Sequence, residues 1–235
     1  MYREYLKSWS PALQRDMELL WFGKFGRPVL MFPTAGGRFF ELEDRGLLES
    51  ISDRVQQGEL QLVLVDSIDT ESWFHHSLEA SERAARHVQY DAYLRNELTP
   101  YVFNRAQRGD LVVFGPDFGA YHAANFAARH PDVVSRAICM SGLFDIHFFT
   151  DGYSDENCYF HSPTWYIPNM DVEWVGKLSR VNWIVAAGEH DHYIQSTRDF
   201  ASVLWSKGIP NQLDVWPGVH GHDWECWKQH LRAYI

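Results

Sequence analysis

Basic charge, cysteine and long apolar runs are all scarce in this chain, and each scarcity excludes a class of function. Lys and Arg number 21 against 31 Asp and Glu, a formal net charge of −10 with histidines neutral. No basic run reverses that balance locally, so the chain has no electrostatic reason to bind nucleic acid or an anionic membrane surface. No apolar stretch approaches bilayer-spanning length. The opening residues Met1-Tyr2-Arg3-Glu4-Tyr5-Leu6-Lys7 lead into no apolar segment of the kind a signal peptide carries. The three cysteines, Cys139, Cys158 and Cys226, are odd in number and widely spaced. They fit neither a disulfide framework nor a zinc knuckle nor a redox pair, and reduced thiols in a cytoplasmic protein are expected. Dinucleotide and P-loop glycine patterns are missing, as is any metal-spaced His/Cys cluster, so neither cofactor nor metal is expected. Internal repeats, low-complexity tracts and linkers are also missing, and residues 1–235 read as one domain.

Apolar runs are present, but they are short and alternate with helical stretches, the rhythm of a mostly parallel sheet with helices on both faces. Pro28-Val29-Leu30-Met31-Phe32 reads as a buried strand, and Leu60–Val65, Leu111–Phe114, Ala137–Met140, Val181–Ala187 and Leu213–Trp216 follow. Helices are expected over Gly46–Gln57, over Ala80–Arg105 with a bend near Pro100, up to about Arg129, and over Ser196–Lys207 and Trp224–Tyr234. Residues 143–180 are aromatic and lack clear periodicity. They read either as a small lid over a pocket or as an irregular surface excursion. Aromatic residues make up 15% of the chain, with ten tryptophans, which implies a tightly filled core or an aromatic-lined pocket.

The most informative segment is Gly115-Pro116-Asp117-Phe118-Gly119-Ala120-Tyr121-His122, between an apolar strand and an amphipathic helix. This is the setting of a nucleophile elbow, in which small residues let strand and helix approach and the middle side chain projects from the turn. Here the middle residue is Asp117. By itself, an aspartate at this place is equally a helix N-cap. Two later segments favour the elbow. Gly188-Glu189-His190-Asp191 follows a strand, and carboxylates beyond strand C-termini lie on the binding edge of an open sheet. Asp191 is therefore a candidate partner that orients a histidine. Pro217-Gly218-Val219-His220-Gly221-His222-Asp223-Trp224 follows the last strand, and either His220 or His222 could be the base, with His222 preferred because it opens the terminal helix. The chain order of nucleophile, acid and histidine is that of the α/β-hydrolase fold. The small residues of Pro33-Thr34-Ala35-Gly36-Gly37-Arg38 expose backbone N–H groups, so Ala35 and Phe118 are the candidate oxyanion-hole donors.

Together with Phe32–Phe39, Val65–Trp73, Phe118–Phe126 and Gly221–Trp224, these segments resemble the esterase family of α/β hydrolases, of the esterase D and feruloyl-esterase kind. The resemblance covers nearly the whole chain. It implies the α/β-hydrolase fold and a serine hydrolase with Asp191 and His222 as partners of the serine. This chain departs from the family at the critical position, because the serine corresponds to Asp117, preceded by Pro116.

That departure changes the chemistry. An aspartate attacking an ester would form a mixed anhydride, which is uphill. Attack at a saturated carbon instead gives an alkyl-enzyme ester that activated water can clear, as in dehalogenases and epoxide hydrolases of this fold. Such a site needs a donor for the leaving group, and Trp73, Trp165, Tyr121, Tyr153 and Trp224 are candidates. Direct general-base activation of water by Asp117 or His222 is another route. The alternative to any enzyme is a catalytically silent esterase homologue that binds a ligand or partner. The expected partner is a small molecule, with a homo-oligomer as the common assembly of this fold. Two carboxylates beside His222 predict a raised imidazole pKa.

Overall fold

The computed structural model describes residues 1–218 and 221–235; Val219 and His220, the second candidate base, lie outside the described residues. The strands are β1 (Arg3–Ser10), β2 (Arg15–Phe22), β3 (Arg27–Met31), β4 (Leu60–Val65), β5 (Leu111–Pro116), β6 (Val134–Met140), β7 (Asn182–Gly188) and β8 (Asn211–Trp216). The helices are α1 (Glu41–Asp44), α2 (Ser52–Gln56), α3 (Ala80–Tyr93), α4 (Thr99–Ala106), α5 (Phe118–Arg129), α6 (Glu156–Phe160), α7 (Pro163–Tyr166), α8 (Val172–Leu178), α9 (Ile194–Ser206) and α10 (Trp224–Tyr234).

The strands form one sheet in the order β1-β2-β4-β3-β5-β6-β7-β8. β1 and β2 pair antiparallel, β2 joins β4 antiparallel, and the pairings from β4 through β8 are parallel. Alternation along the strands divides the core in two. Leu30, Val63, Val65, Leu111, Val113, Cys139 and Val185 face the layer that holds α3, α4, α5 and α9. Val29, Met31, Leu62, Leu64, Phe114, Ile138 and Ala186 face the layer that holds α1, α2 and α10. Central strands buried on both faces read as continuous apolar runs, which is why β3 to β7 were legible in the sequence. No described helix is long and apolar enough to cross a membrane. All three cysteines are free and buried.

Several expectations are corrected. The β1–β2 hairpin was not anticipated: β1 is an edge strand, mostly exposed and carrying Arg3, Glu4 and Lys7, so its periodicity is weak. The helix expected over Gly46–Gln57 is a 3-10 turn (Leu48–Ile51) running into the short α2. The bend expected at Pro100 lies one turn earlier, as a π-type turn over Leu94–Leu98. Pro100 has no N–H to donate to the preceding turn, and the Leu94 carbonyl accepts both the Thr99 backbone N–H and the Thr99 hydroxyl, the latter at 2.7 Å. Within residues 143–180, regular helices begin at Glu156, and the stretch before them holds only a 3-10 turn (His147–Phe149). The whole segment carries α6, α7 and α8 and buries Phe144, Ile146, Cys158, Tyr166, Ile167 and Leu178.

Candidate active site

The turn between β5 and α5 is as tight as its glycines predict. A Cβ on Gly115 would lie 2.1 Å from the Gly119 carbonyl oxygen, and one on Gly119 would lie 2.4 Å from that of Pro33. Both are far inside van der Waals contact, so strand, turn and the Pro33 loop can meet only if these two positions lack side chains. Between them Asp117 adopts φ 54° and ψ −125°, a conformation that L-residues rarely take. Its N–H donates to the Met140 carbonyl at 2.9 Å, which pins the turn to the end of β6.

The carboxylate of Asp117 does not cap α5. Its Oδ2 accepts the Ala35 N–H at 2.8 Å, and its Oδ1 lies 3.5 Å from His222 Nε2. The other ring nitrogen, Nδ1, lies 3.3 Å from Asp191 Oδ1. Asp117, Asp191 and His222, each following a different strand, thus meet at the C-terminal ends of β5, β7 and β8. Asp191 is buried, and its Oδ1 also accepts the Tyr193 N–H at 2.7 Å. The His222 loop is pressed against β7, since a Cβ on Gly221 would lie 2.4 Å from Gly188 Cα. It is also tied to β6: the Ser141 hydroxyl donates to the Gly221 carbonyl at 2.9 Å and accepts the Trp227 indole N–H at 3.0 Å.

Electrostatics follow from this geometry. Partial burial disfavours the charged imidazole, but hydrogen bonding and Coulomb attraction from Asp117 and Asp191 outweigh it and raise the His222 pKa to about 9. Burial opposes ionisation of Asp117 too, yet the His222 contact and the Ala35 and Phe118 N–H groups hold it below its ordinary value. Asp191 is likewise lowered, against its burial, by His222, the Ser141 hydroxyl and the Tyr193 N–H. At neutral pH the site is an imidazolium between two carboxylates.

One of the two backbone donors expected to serve a substrate oxyanion, the Ala35 N–H, is therefore engaged by Asp117 itself. The donors considered for a leaving group are not brought to the site. The Trp73 indole N–H is fully buried and donates to the Tyr121 hydroxyl at 3.2 Å, which in turn donates to the His161 carbonyl. Tyr153 donates to Asp155 at 3.2 Å. Trp165 packs against His147 at a tilt, and Trp224 packs edge-on against Trp227. The aromatic residues beside His222 that sequence reasoning missed are Trp227 and Tyr193, with ring centres 5.1 and 5.3 Å from its own. His192 lies closer still, at 3.8 Å. Asp191, His192 and His222 offer metal-ligand atoms within 4.8 Å of one another.

A mostly parallel sheet in this strand order, with a carboxylate, a histidine and a second carboxylate at the C-terminal ends of its strands, defines an α/β-hydrolase fold. The family described as "Putative esterase" matches residues 43–234, well over half of the chain, and the chain belongs to that family. Solved structures agree on the fold. A ferulic acid esterase superposes with a TM-score of 0.80 at 19% identity, covering 100% of this chain and 96% of that one. An S-formylglutathione hydrolase from Staphylococcus aureus gives 0.75 at 16%, covering 99% and 96%. A ferulic acid esterase from Anaeromyces mucronatus gives 0.73 at 13%, covering 100% and 89%. No curated protein matches the chain in sequence.

Proposed function

We propose that the chain is a hydrolase that forms a covalent alkyl ester on Asp117, with His222 as base and Asp191 as its orienting acid. Its substrates carry a leaving group on saturated carbon, as an epoxide or a carbon–halogen bond does. The observation that carries this reading is the division of labour between the two Asp117 oxygens. Oδ2 sits on the Ala35 N–H, while Oδ1 faces His222.

In the first step Oδ1 attacks the carbon and the carbon–leaving-group bond breaks. The product is a neutral ester, so Asp117 loses its charge. His222 then has one carboxylate partner instead of two, its pKa falls, and it sheds its proton to solvent. That proton balances the departing halide, or protonates the alkoxide of an opened epoxide. Neutral His222 now takes a proton from water, and the hydroxide attacks Asp117 Cγ. The negative charge of the tetrahedral intermediate develops on Oδ2, where the Ala35 N–H already points, with the Phe118 N–H alongside. Collapse breaks the Cγ–Oδ1 bond, His222 gives its proton to the departing alkoxide, and the new carboxylic acid of Asp117 passes its proton to His222, which restores the carboxylate and the imidazolium. Asp191 holds the ring and stabilises the imidazolium. Residues 143–180 serve as the lid wall: Phe149 packs on Phe118 with ring centres 5.4 Å apart.

The same self-satisfied contacts favour one alternative, a silent esterase homologue that retains the site for binding a ligand or partner. The two readings part in intact-mass analysis of His222→Ala after incubation with epoxides, haloalkanes, haloacids and activated esters. Without the base the second step stalls, so a discrete mass increase mapping to Asp117 is expected. No adduct across the panel, with no turnover by the wild-type chain, supports the binding role.

A further inference from the structure

We propose that Asp69 is a positioning residue, whose two carboxylate oxygens tie the backbone carrying the Ala35 N–H to the helix that starts beside Asp117. The proposal rests on reading that N–H as a donor to the reacting group.

Asp69 opens a 3-10 turn just beyond the C-terminal end of β4 and is fully buried. Its Oδ2 accepts the Gly36 N–H at 3.0 Å. Its Oδ1 lies 2.7 Å from Nε2 of His122, which stands on α5 a little over one turn past Asp117. His122 cannot swing away, because Phe32, Tyr90 and Phe118 enclose its ring with centres 5.1–5.7 Å distant.

The loop needs such a tie. Gly36 has φ +66°, and a Cβ there would meet nothing nearer than a Thr70 methyl at 3.8 Å. Packing therefore does not hold the peptide that follows Ala35. A turn hydrogen bond from the Gly37 N–H to the Thr34 carbonyl at 2.9 Å and two carboxylates do. Glu41 Oε2 accepts the Thr34 N–H at 3.0 Å on one side of Ala35, and Asp69 accepts the Gly36 N–H on the other. The Gly37 N–H, through the Thr34 carbonyl, holds the peptide plane that carries the Ala35 N–H, and the two carboxylates hold the planes on either side, which leaves that N–H one direction, toward Asp117 Oδ2. Glu41 sits in a surface helix, whereas Asp69 links the loop to the element that carries Asp117. It thereby sets the distance between donor and carboxylate.

The test uses the full chain and reads the Ala35 amide by NMR, through its proton shift and its hydrogen-exchange rate. In Asp69→Ala the amide should move upfield and exchange about tenfold faster or more, the scale of one lost hydrogen bond to a charged group. Amides of β7 and β8 should not change. Asp69→Asn keeps an oxygen for Gly36 and can donate its amide N–H to an unprotonated His122 Nε2, so it should restore the wild-type amide. His122→Phe removes the anchor without touching the loop and should move the Ala35 amide in the same direction, so it carries the test if Asp69→Ala does not fold. An Ala35 amide unmoved in a folded variant, or a shift shared equally by the whole sheet, overturns the proposal. These readouts need no turnover. A chain that traps no adduct yet shows this pattern loses the alkyl-ester reading and keeps Asp69.

Discussion

Replacing Asp117 by Asn isolates the electrostatic core of the site. In the wild-type chain the two carboxylates raise the His222 pKa from an ordinary 6.5 to about 9. At about 1.36 kcal/mol for each pH unit, that is about 3 kcal/mol of preference for the imidazolium, shared between two partners. Their contacts are similar, at 3.5 Å to Asp117 and 3.3 Å to Asp191. Burial opposes the rise, so together they supply more than the net shift, each roughly half, and Asp117→Asn should lower the His222 pKa by at least about 1 pH unit. The neutral Asn side chain also stands in for the alkyl ester, and the change it causes is the one that would turn His222 into a base midway through the reaction. A side-chain NMR titration of His222 in both proteins measures this directly. The stability consequence has a definite sign. His222 binds its proton more tightly folded than unfolded, so its stabilisation is complete below about 6.5 and is lost as pH rises through about 9. Asp117 and Asp191 are depressed, and their side of the same interaction is lost as pH falls into the carboxylate range. Wild-type His222 titrating at or below 6.5, or a pKa unmoved by Asp117→Asn, would refute the reasoning.

Asp117→Ser should release the Ala35 N–H for a substrate oxygen and leave His222 with Asp191 alone. Hydrolysis of p-nitrophenyl acetate, followed by absorbance, should then rise at least ~100-fold over the wild-type chain, the lower end of what a positioned base contributes; no gain would mean that more than this one side chain separates the site from an esterase. Gly119→Ala forces a Cβ against the Pro33 carbonyl oxygen, backbone that cannot step aside. A cost of about 1–3 kcal/mol is expected, seen in calorimetry as a melting point lower by roughly 3–10 °C for a chain of this size. An unchanged melting point would show that the turn is looser than its geometry.

The sequence by itself determined the central architecture and the cast of the site. Strands β3 to β7 are buried on both faces and so appear as short apolar runs. The Gly115–Gly119 turn carries its spacing in five residues, and Asp191 and His222 follow strand ends in an order that the fold requires. Short-range rules suffice there because each feature is fixed by neighbours along the chain. The tertiary structure alone decided what those residues do to one another. Asp117 reads locally as a helix cap, but its carboxylate turns to Ala35, 82 residues away. Trp73 and Tyr121 read as site donors but satisfy each other in the core. Asp69 and His122 carry no local mark of their meeting, being 53 residues apart. The edge strand β1 was hidden because a strand half open to water shows little apolar pattern, whereas its partner β2 is buried from Leu19 to Phe22 and carries a short apolar run there. A hydrogen bond between distant segments depends on where the packed sheet and its helices bring two backbones, and sequence spacing holds no record of that distance.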